Sequence, residues 1–224
     1  MTNAIDRATL KMIKATLDTI KERLYSKTNL SLSNTTGIIK QGIQTAREIG
    51  LENHAQLLNI GLYINLSAHD LAVLLHQLHI ERDIWAQKLA ARHAILLIFE
   101  SVEDLTQLLG KNIRCLLNQI GSIDIFDAKL RNVKKPLDTF WKTYSARLKE
   151  VRGNAIAHRN HDGLTILESI ESIDIKDIIR IGNEYRIILI EIRTTLLDIL
   201  EFVYQKELER LHSIVSNTLQ EIDT

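Results

Sequence analysis

Apolar residues recur at helical spacing along most of this chain, and short polar clusters separate the helical stretches. In residues 4–27 the apolar residues fall on one stripe of a helix. Residues 67–109 follow a helical pattern almost without interruption, and residues 175–219 predict one long final helix. Shorter helices are predicted to end at Glu48 before Gly50, to cover residues 111–120 and 164–172, and to run from Pro136 towards His158.

The composition also favours a helical fold. The chain of 224 residues contains one proline and nine glycines, which is too few for the regular turns of a β-sandwich or barrel. Ile187–Ile192 could form a strand, but the helical pattern continues on both sides of it. The sequence therefore predicts an all-α fold, with a helical bundle over residues 61–224 that ends in a long final helix. Residues 1–60 are expected to form an N-terminal helical appendage.

Membrane and export signals are not evident in the sequence. The longest strictly apolar run, Ala94–Phe99, is far shorter than the roughly 18 residues that a membrane-spanning helix requires. The N-terminus lacks an apolar region followed by a small-residue cleavage site. The single cysteine, Cys115, cannot form an internal disulfide and is typical of a reducing compartment. We therefore expect a cytoplasmic protein without membrane contact.

The formal net charge of zero hides an uneven distribution. Residues 128–159 contain nine basic and two acidic side chains, whereas residues 162–224 contain six basic and thirteen acidic side chains. A neutral chain argues against a protein that coats nucleic acid over its whole surface. The basic segment nevertheless leaves room for a local site that binds an anion, although its charges could also pair with those of neighbouring helices.

The basic segment ends in a polar constellation, Arg152-Gly-Asn-Ala-Ile-Ala-His158, which Arg159 and His161 follow. An amphipathic helix leads into this constellation, and a polar turn and the final helix come after it. The arrangement resembles the Arg-x(4–6)-His motif of the HEPN families, which are helical-bundle proteins of prokaryotic defence and toxin–antitoxin systems. The resemblance extends over about residues 67–205.

The resemblance implies a metal-independent endoribonuclease, in which the RNA 2′-hydroxyl attacks its neighbouring phosphate. His158 would act as the acid or base, because imidazole titrates near neutral pH. Arg152 would hold the phosphate with its planar guanidinium, and Asn154 would support both as the third catalytic residue. The candidate substrate-binding residues are Arg159, His161, Lys149 and Glu100.

A dimer would complete such a site. On a regular helix Arg152 and His158 point about 120° apart, so one motif does not converge on a single phosphate. A symmetric dimer would bring two motifs to one cleft, and the resemblance implies such a homodimer. It also implies RNA as a possible partner, together with a cognate antitoxin or defence partner. The sequence contains no phosphate-binding glycine loop or dinucleotide fingerprint, so we expect no cofactor.

Other interpretations of the motif stay open. The fold could serve as a non-catalytic dimerisation or binding module for a protein, a nucleotide or RNA. Alternatively, Arg152 is a solvated helix residue and His158 is a helix C-terminal residue that the macrodipole favours. The Arg-x(4–6)-His pattern also occurs at Arg47 and His54, on either side of Gly50 and without basic surroundings, and we assign that match to chance.

Residues 67–109 contain two weaker candidates. The predicted apolar stripe includes Trp85 and Leu89, and His93 and Glu100 fall on it. We interpret these two as a buried polar pair, although Glu100 could instead reach an imidazole or an arginine of the motif. Another face of the helix contains His69, His76, His79 and Asp83. This face could bind a transition metal, but no second helix has matching ligands, so we expect a solvated face and no metal site.

Overall fold

The computed structural model describes residues 32–153 and 163–222. Every regular element in these ranges is a helix, which confirms the all-α helical bundle. The helices are α1 (Leu32–Glu48), α2 (Glu52–Ile80), α3 (Ile84–Gln107), α4 (Ile113–Gln119), α5 (Ile123–Val151), α6 (Gly163–Glu171) and α7 (Ile175–Ile222). A π-helical segment, Leu108–Asn112, joins α3 to α4. The helix predicted over residues 4–27 lies outside the described residues.

The long final helix α7 is the centre of the main core. It runs for 48 residues and packs against α2, α3 and α5. Tyr185 of α7 is fully buried, and its hydroxyl lies 2.7 Å from the hydroxyl of Ser101 on α3. Near it, Gly182 lets α2 approach closely, because a Cβ at this position would lie 2.6 Å from Cδ2 of Leu75. The apolar face of α7 is thus buried on three sides, which supplies much of the hydrophobic stabilisation of the bundle.

A tight turn folds α1 back onto α2. Gly50 in this turn has a φ of 77°, a left-handed conformation that glycine adopts without steric cost. The N–H of Leu51 donates a 2.7 Å hydrogen bond to the carbonyl of Ala46 and closes α1. The two helices share a small apolar cluster formed by Ile39, Ile43, Ala46, Ala55 and Leu58. Later residues of α2 belong to the main core, so α2 spans the boundary expected near residue 60.

The helical pattern of residues 67–109 is divided between two helices, because the chain turns at Glu81–Asp83 between α2 and α3. Asp83 caps α3, and its side chain accepts a 2.7 Å hydrogen bond from the N–H of Ala86. Such a cap satisfies one of the free N–H groups at a helix start. The turn changes which residues of α3 face inward. Trp85 and Leu89 were predicted on the apolar stripe, but they are 51% and 43% exposed.

The expected helix start at Pro136 is wrong, since Pro136 lies inside α5. Proline lacks the N–H that would bond to the carbonyl of Asn132 one turn earlier. The buried residues of α5 lie on both sides of the proline, and they include Leu130 and Leu137. Packing on both sides therefore keeps the helix continuous despite the missing hydrogen bond.

Helix α2 is the one helix of the described ranges that meets the length and composition criteria of a membrane span. The stretch Glu52–His79 has a mean hydropathy of 1.3 over its most apolar window. A central helix of a water-soluble bundle can meet the same criteria, and α2 packs on α1, α3 and α7. The absence of membrane contact stays a prediction.

Candidate functional site

The structure describes part of the motif found in the sequence. Arg152 follows the last residue of α5, and its backbone N–H still bonds to the carbonyls of Leu148 and Lys149. Arg152 and Gly153 continue the helix with π-helical geometry. Four of the candidate residues lie outside the described residues, namely Asn154, His158, Arg159 and His161. The chain is described again from Gly163, at the start of α6.

The guanidinium of Arg152 forms an ion pair with Glu100 on α3. Its Nε atom donates a 2.9 Å hydrogen bond to the carboxylate oxygen Oε1, and its Nη2 atom lies 2.8 Å from the same oxygen. The side chains are 31% and 48% exposed, so water reaches both. The sequence raised the possibility that Glu100 reaches an arginine of the motif, and the structure brings Glu100 and Arg152 together in this way.

An aromatic side chain supports the same guanidinium. The central carbon of the Arg152 guanidinium lies 4.7 Å from the ring centroid of Phe99, within the range of a cation–π contact. Trp141 of α5 packs edge-on against Phe99, with centroids 5.1 Å apart. The guanidinium of Arg152 is therefore held by the carboxylate of Glu100 along one edge and by the face of the Phe99 ring. In the described part of the chain no further group bonds to Nη1, so this edge can donate to another anion.

Phe99 and Trp141 were not among the residues singled out in the sequence. Phe99 belongs to the predicted apolar run of α3, and an apolar run does not reveal which ring supports a charged group. Phe99 directly precedes Glu100, and this adjacency is the sequence feature that could have pointed to it. Whether the ring then reaches Arg152 depends on how α3 and α5 cross. Tertiary packing decides that crossing.

The expected buried pair of His93 and Glu100 is wrong. Both residues are exposed, and Glu100 pairs with Arg152 instead. The turn at Glu81–Asp83 is the physical reason. The predicted apolar stripe treats α2 and α3 as one continuous helix. Because the turn separates the two helices, residues of α3 do not continue the buried face of α2.

The turn also removes the basis of the possible metal site. Asp83 lies beyond the end of α2, so it no longer shares a helical face with His76 and His79. Its carboxylate is engaged in capping α3. Within residues 32–153 and 163–222, no group of three or more histidine, cysteine or acidic side chains is arranged to hold a metal ion.

Most of the described basic side chains in residues 128–159 pair with carboxylates. Two pairs join α5 to α7, Lys129 with Asp198 at 2.9 Å and Arg147 with Asp177. The other paired residues are Arg131 with Asp127, Lys134 with Asp138 and Arg152 with Glu100. Pairing between neighbouring helices was one interpretation of the opposite charges, and these contacts confirm it for α5 and α7.

Three lysines of α5 are exceptions. Lys135, Lys142 and Lys149 are exposed, and no carboxylate of the described residues forms an ion pair with them. Lys149 was predicted to bind substrate, whereas the other two were counted only as part of the basic segment. Three positive charges of α5 are thus not neutralised by a carboxylate of the described residues, and Lys149 is the one of them nearest to Arg152 along the helix.

Comparisons of the chain with protein-family models, with curated proteins and with solved structures found no match. The resemblance to the HEPN families stays a prediction.

Proposed function

We propose that this chain is a metal-independent endoribonuclease of HEPN type, which acts as a cytoplasmic homodimer in a defence or toxin module. His158 takes the proton from an RNA 2′-hydroxyl, whose oxygen then bonds to the adjacent phosphorus. The bond from phosphorus to the 5′-oxygen breaks, and that oxygen takes up the proton that the imidazole releases again. The products are a 2′,3′-cyclic phosphate and a 5′-hydroxyl end.

The observation that carries this proposal is the geometry of Arg152. A guanidinium that is already oriented can stabilise the charge that develops on a phosphate with little reorganisation. Glu100 and Phe99 provide that orientation through the 2.9 Å hydrogen bond, the 2.8 Å ion-pair contact and the 4.7 Å ring contact. Among the described residues none bonds to the Nη1 edge, which can therefore donate to phosphate oxygens. The unpaired lysines on the preceding helix add a favourable field for a polyanion.

RNA cleavage in excess EDTA tests the proposal. A labelled, unstructured oligoribonucleotide is incubated with the wild-type protein, His158→Ala, Arg152→Ala and the control His76→Ala, which changes an exposed histidine of α2. We expect cleavage by the wild type and the control, with a cyclic phosphate on the product. The rate is expected to fall by about 10²–10⁴-fold in His158→Ala and by about 10²–10³-fold in Arg152→Ala.

A matched oligonucleotide with 2′-deoxyribose at every position should not be cleaved, because the attacking hydroxyl is missing. Equal cleavage of RNA by the wild type and His158→Ala would overturn the proposal. So would a complete lack of cleavage by a wild-type protein that is folded and dimeric.

The ion pair of Arg152 also favours a second function, a non-catalytic binding module. An arginine that is satisfied by Glu100 and Phe99 can stabilise the junction of α3 and α5 without acting on a ligand. This function predicts that RNA, a nucleotide or an acidic protein binds without turnover. It also predicts that binding persists in both Arg152→Ala and His158→Ala.

A further inference from the structure

The exposed face of α5 contains Lys135, Lys142 and Lys149 at intervals of seven residues. Seven residues are close to two helical turns, so the three side chains share one face and are spaced by about 10.5 Å along the axis. We call these three residues the lysine stripe. It covers about 21 Å of helix surface.

Three of the residues between and beside the lysines on this face are uncharged. Asn132, Thr139 and Ala146 alternate with the lysines at spacings of three and four residues, and all three are exposed. They therefore lie on the same face of the helix. None of them is acidic, and all are small enough to let an extended ligand lie along the helix.

Asp138 lies on the same face, three residues after Lys135 and four before Lys142, whereas Glu150 lies beside the stripe. Asp138 is engaged by Lys134, whose Nζ donates hydrogen bonds of 2.6 and 2.7 Å to its two carboxylate oxygens. Glu150 follows Lys149 directly and points about 100° away around the helix. Neither forms an ion pair with a lysine of the stripe. The three ammonium groups therefore remain available to an external anion.

The chemistry of the stripe fits a regular polyanion better than a compact one. The charges are spread along a line of about 21 Å, which exceeds the size of a single phosphate or nucleotide. Lysine is a flexible point charge that reaches phosphates without a fixed geometry. No aromatic side chain lies among the lysines and the three uncharged residues of this face, so they contact a nucleic acid through its backbone and not by stacking on its bases.

The stripe ends next to the candidate site. Lys149 precedes Arg152 by three residues, which is less than one turn of the helix. We propose that the lysine stripe binds the sugar–phosphate backbone of a single RNA strand and directs the strand to Arg152. This inference rests on the proposed ribonuclease function and adds a substrate-binding track outside the reacting phosphate. Binding along the track does not depend on base sequence, because lysines on a helix surface read only phosphates.

Binding measurements over a range of salt concentrations test this inference. A labelled single-stranded oligoribonucleotide is titrated with the full chain carrying His158→Ala, so that the RNA stays intact. The stripe variant adds Lys135→Gln, Lys142→Gln and Lys149→Gln. The matched control removes the same charge from exposed lysines of other elements, with Lys40→Gln, Lys111→Gln and Lys176→Gln.

We expect the affinity of the stripe variant for RNA to fall at least tenfold at low salt. The slope of log K against log salt should become less steep by about 2, since each contact of a lysine with a single-strand phosphate contributes about 0.7. The control variant should keep the slope and the affinity of its parent. Equal effects of the two triple substitutions would overturn the inference, because they would show a response to net charge alone.

A cleavage assay separates this inference from the proposed function. In a background with intact His158, the stripe variant should show a raised KM and an unchanged kcat, because the lysines bind ground state and transition state alike. RNA binding that depends on the stripe, without cleavage by the wild type, would refute the ribonuclease and support the track. Cleavage with the same KM in the stripe variant would refute the track alone.

An acidic protein segment is the alternative occupant of the stripe. Polyglutamate of matched length serves as the competitor in the same binding assay. We expect it to displace the RNA only at much higher concentration. Displacement at equal concentrations would overturn the assignment to RNA and identify the stripe as a surface for any polyanion.

Discussion

Glu100 of α3 accepts a 2.9 Å hydrogen bond from Nε of Arg152 at its Oε1 atom, and Nη2 of the same guanidinium lies 2.8 Å from this oxygen. The two residues are far apart in the sequence, so this pair ties the end of α5 to the middle of α3. Both side chains are substantially exposed, and ion pairs of this kind contribute about 1 kcal/mol or less to stability. The more important consequence is geometric, because the pair leaves one edge of the guanidinium facing away from Glu100.

Glu100→Gln tests whether this geometry serves the proposed reaction. The amide still fits the space but loses the charge that holds Arg152, so we expect kcat for RNA cleavage to fall about tenfold, with little change in KM. Misplacement of a positioned group can cost up to about 10²-fold. Steady-state kinetics measures the effect, and thermal unfolding should show that stability changes by less than about 1 kcal/mol.

The control for this prediction is Glu103→Gln, an exposed carboxylate of the same helix. It should leave both kcat and stability unchanged. In an Arg152→Ala background, Glu100→Gln should have no further effect, because the residue it positions has gone. An equal additional loss in that background would show that Glu100 acts independently of Arg152.

Pro136→Ala is expected to stabilise the protein. Proline in a helix interior is about 3 kcal/mol less favourable than alanine, and the greater freedom of the unfolded alanine chain offsets about 0.4–1 kcal/mol of that gain. We expect the free energy of unfolding to rise by roughly 2–2.6 kcal/mol. Urea denaturation measures this change. The control Thr139→Ala changes an exposed residue one turn later and should shift stability by less than about 0.7 kcal/mol. A rise in stability for Pro136→Ala that is no larger than the shift for Thr139→Ala would contradict the prediction.

The fold class could be predicted because helical periodicity is a local property of the sequence. In α7, for example, Ile178, Tyr185 and Leu189 are spaced for one face and are all buried. The turn at Glu81–Asp83 was harder to find, since it contains neither glycine nor proline. The sequence signal for this turn is that Asp83 can cap a helix. An aspartate at this position also fits the exposed face of one continuous helix.

Arg152 could be selected from the sequence because a basic segment and a polar turn flank it. Its contact with Glu100 could be proposed, but the contact with Phe99 could not. Whether Phe99 lies beneath Arg152 depends on the rotation of α3 about its axis. That rotation follows from core packing after the turn between α2 and α3, and the local pattern contains no information about it.

Gly182→Ala and Gly37→Ala are expected to change stability in opposite directions. A methyl group at Gly182 would lie 2.6 Å from Cδ2 of Leu75, so Leu75 must move. Overpacking of this kind costs about 1–3 kcal/mol, which outweighs the gain of about 1 kcal/mol in helix propensity. Gly37 in α1 has no atom within 4 Å of an added Cβ, so alanine there should stabilise by about 0.5–1 kcal/mol.

Chemical denaturation of the two variants measures these changes. In a Leu75→Ala background the penalty of Gly182→Ala should largely disappear, because the clashing side chain is missing. Stabilisation by Gly182→Ala in the presence of Leu75 would refute the close approach of α2 and α7.

His54 makes stability depend on pH. Burial lowers the pKa of His54 below its usual value, and the nearby Arg210 lowers it further, whereas a hydrogen bond to the backbone of Val203 and the charge of Glu207 raise it. Its Nε2 atom is buried and has no hydrogen-bond partner in the part of the chain that the structure describes, so a proton there would add a buried charge that these residues do not pair. The unfolded chain therefore binds this proton more readily, and stability is lost as the pH falls below about 6.5.

The urea midpoint should accordingly be lower at pH 5.5 than at pH 7.5. Part of this loss should disappear in His54→Gln, which cannot take up the proton. His76→Gln, the change of an exposed histidine on the same helix, should keep the full loss. Identical pH profiles for the wild type and His54→Gln would show that His54 is protonated as easily in the folded protein as in the unfolded chain.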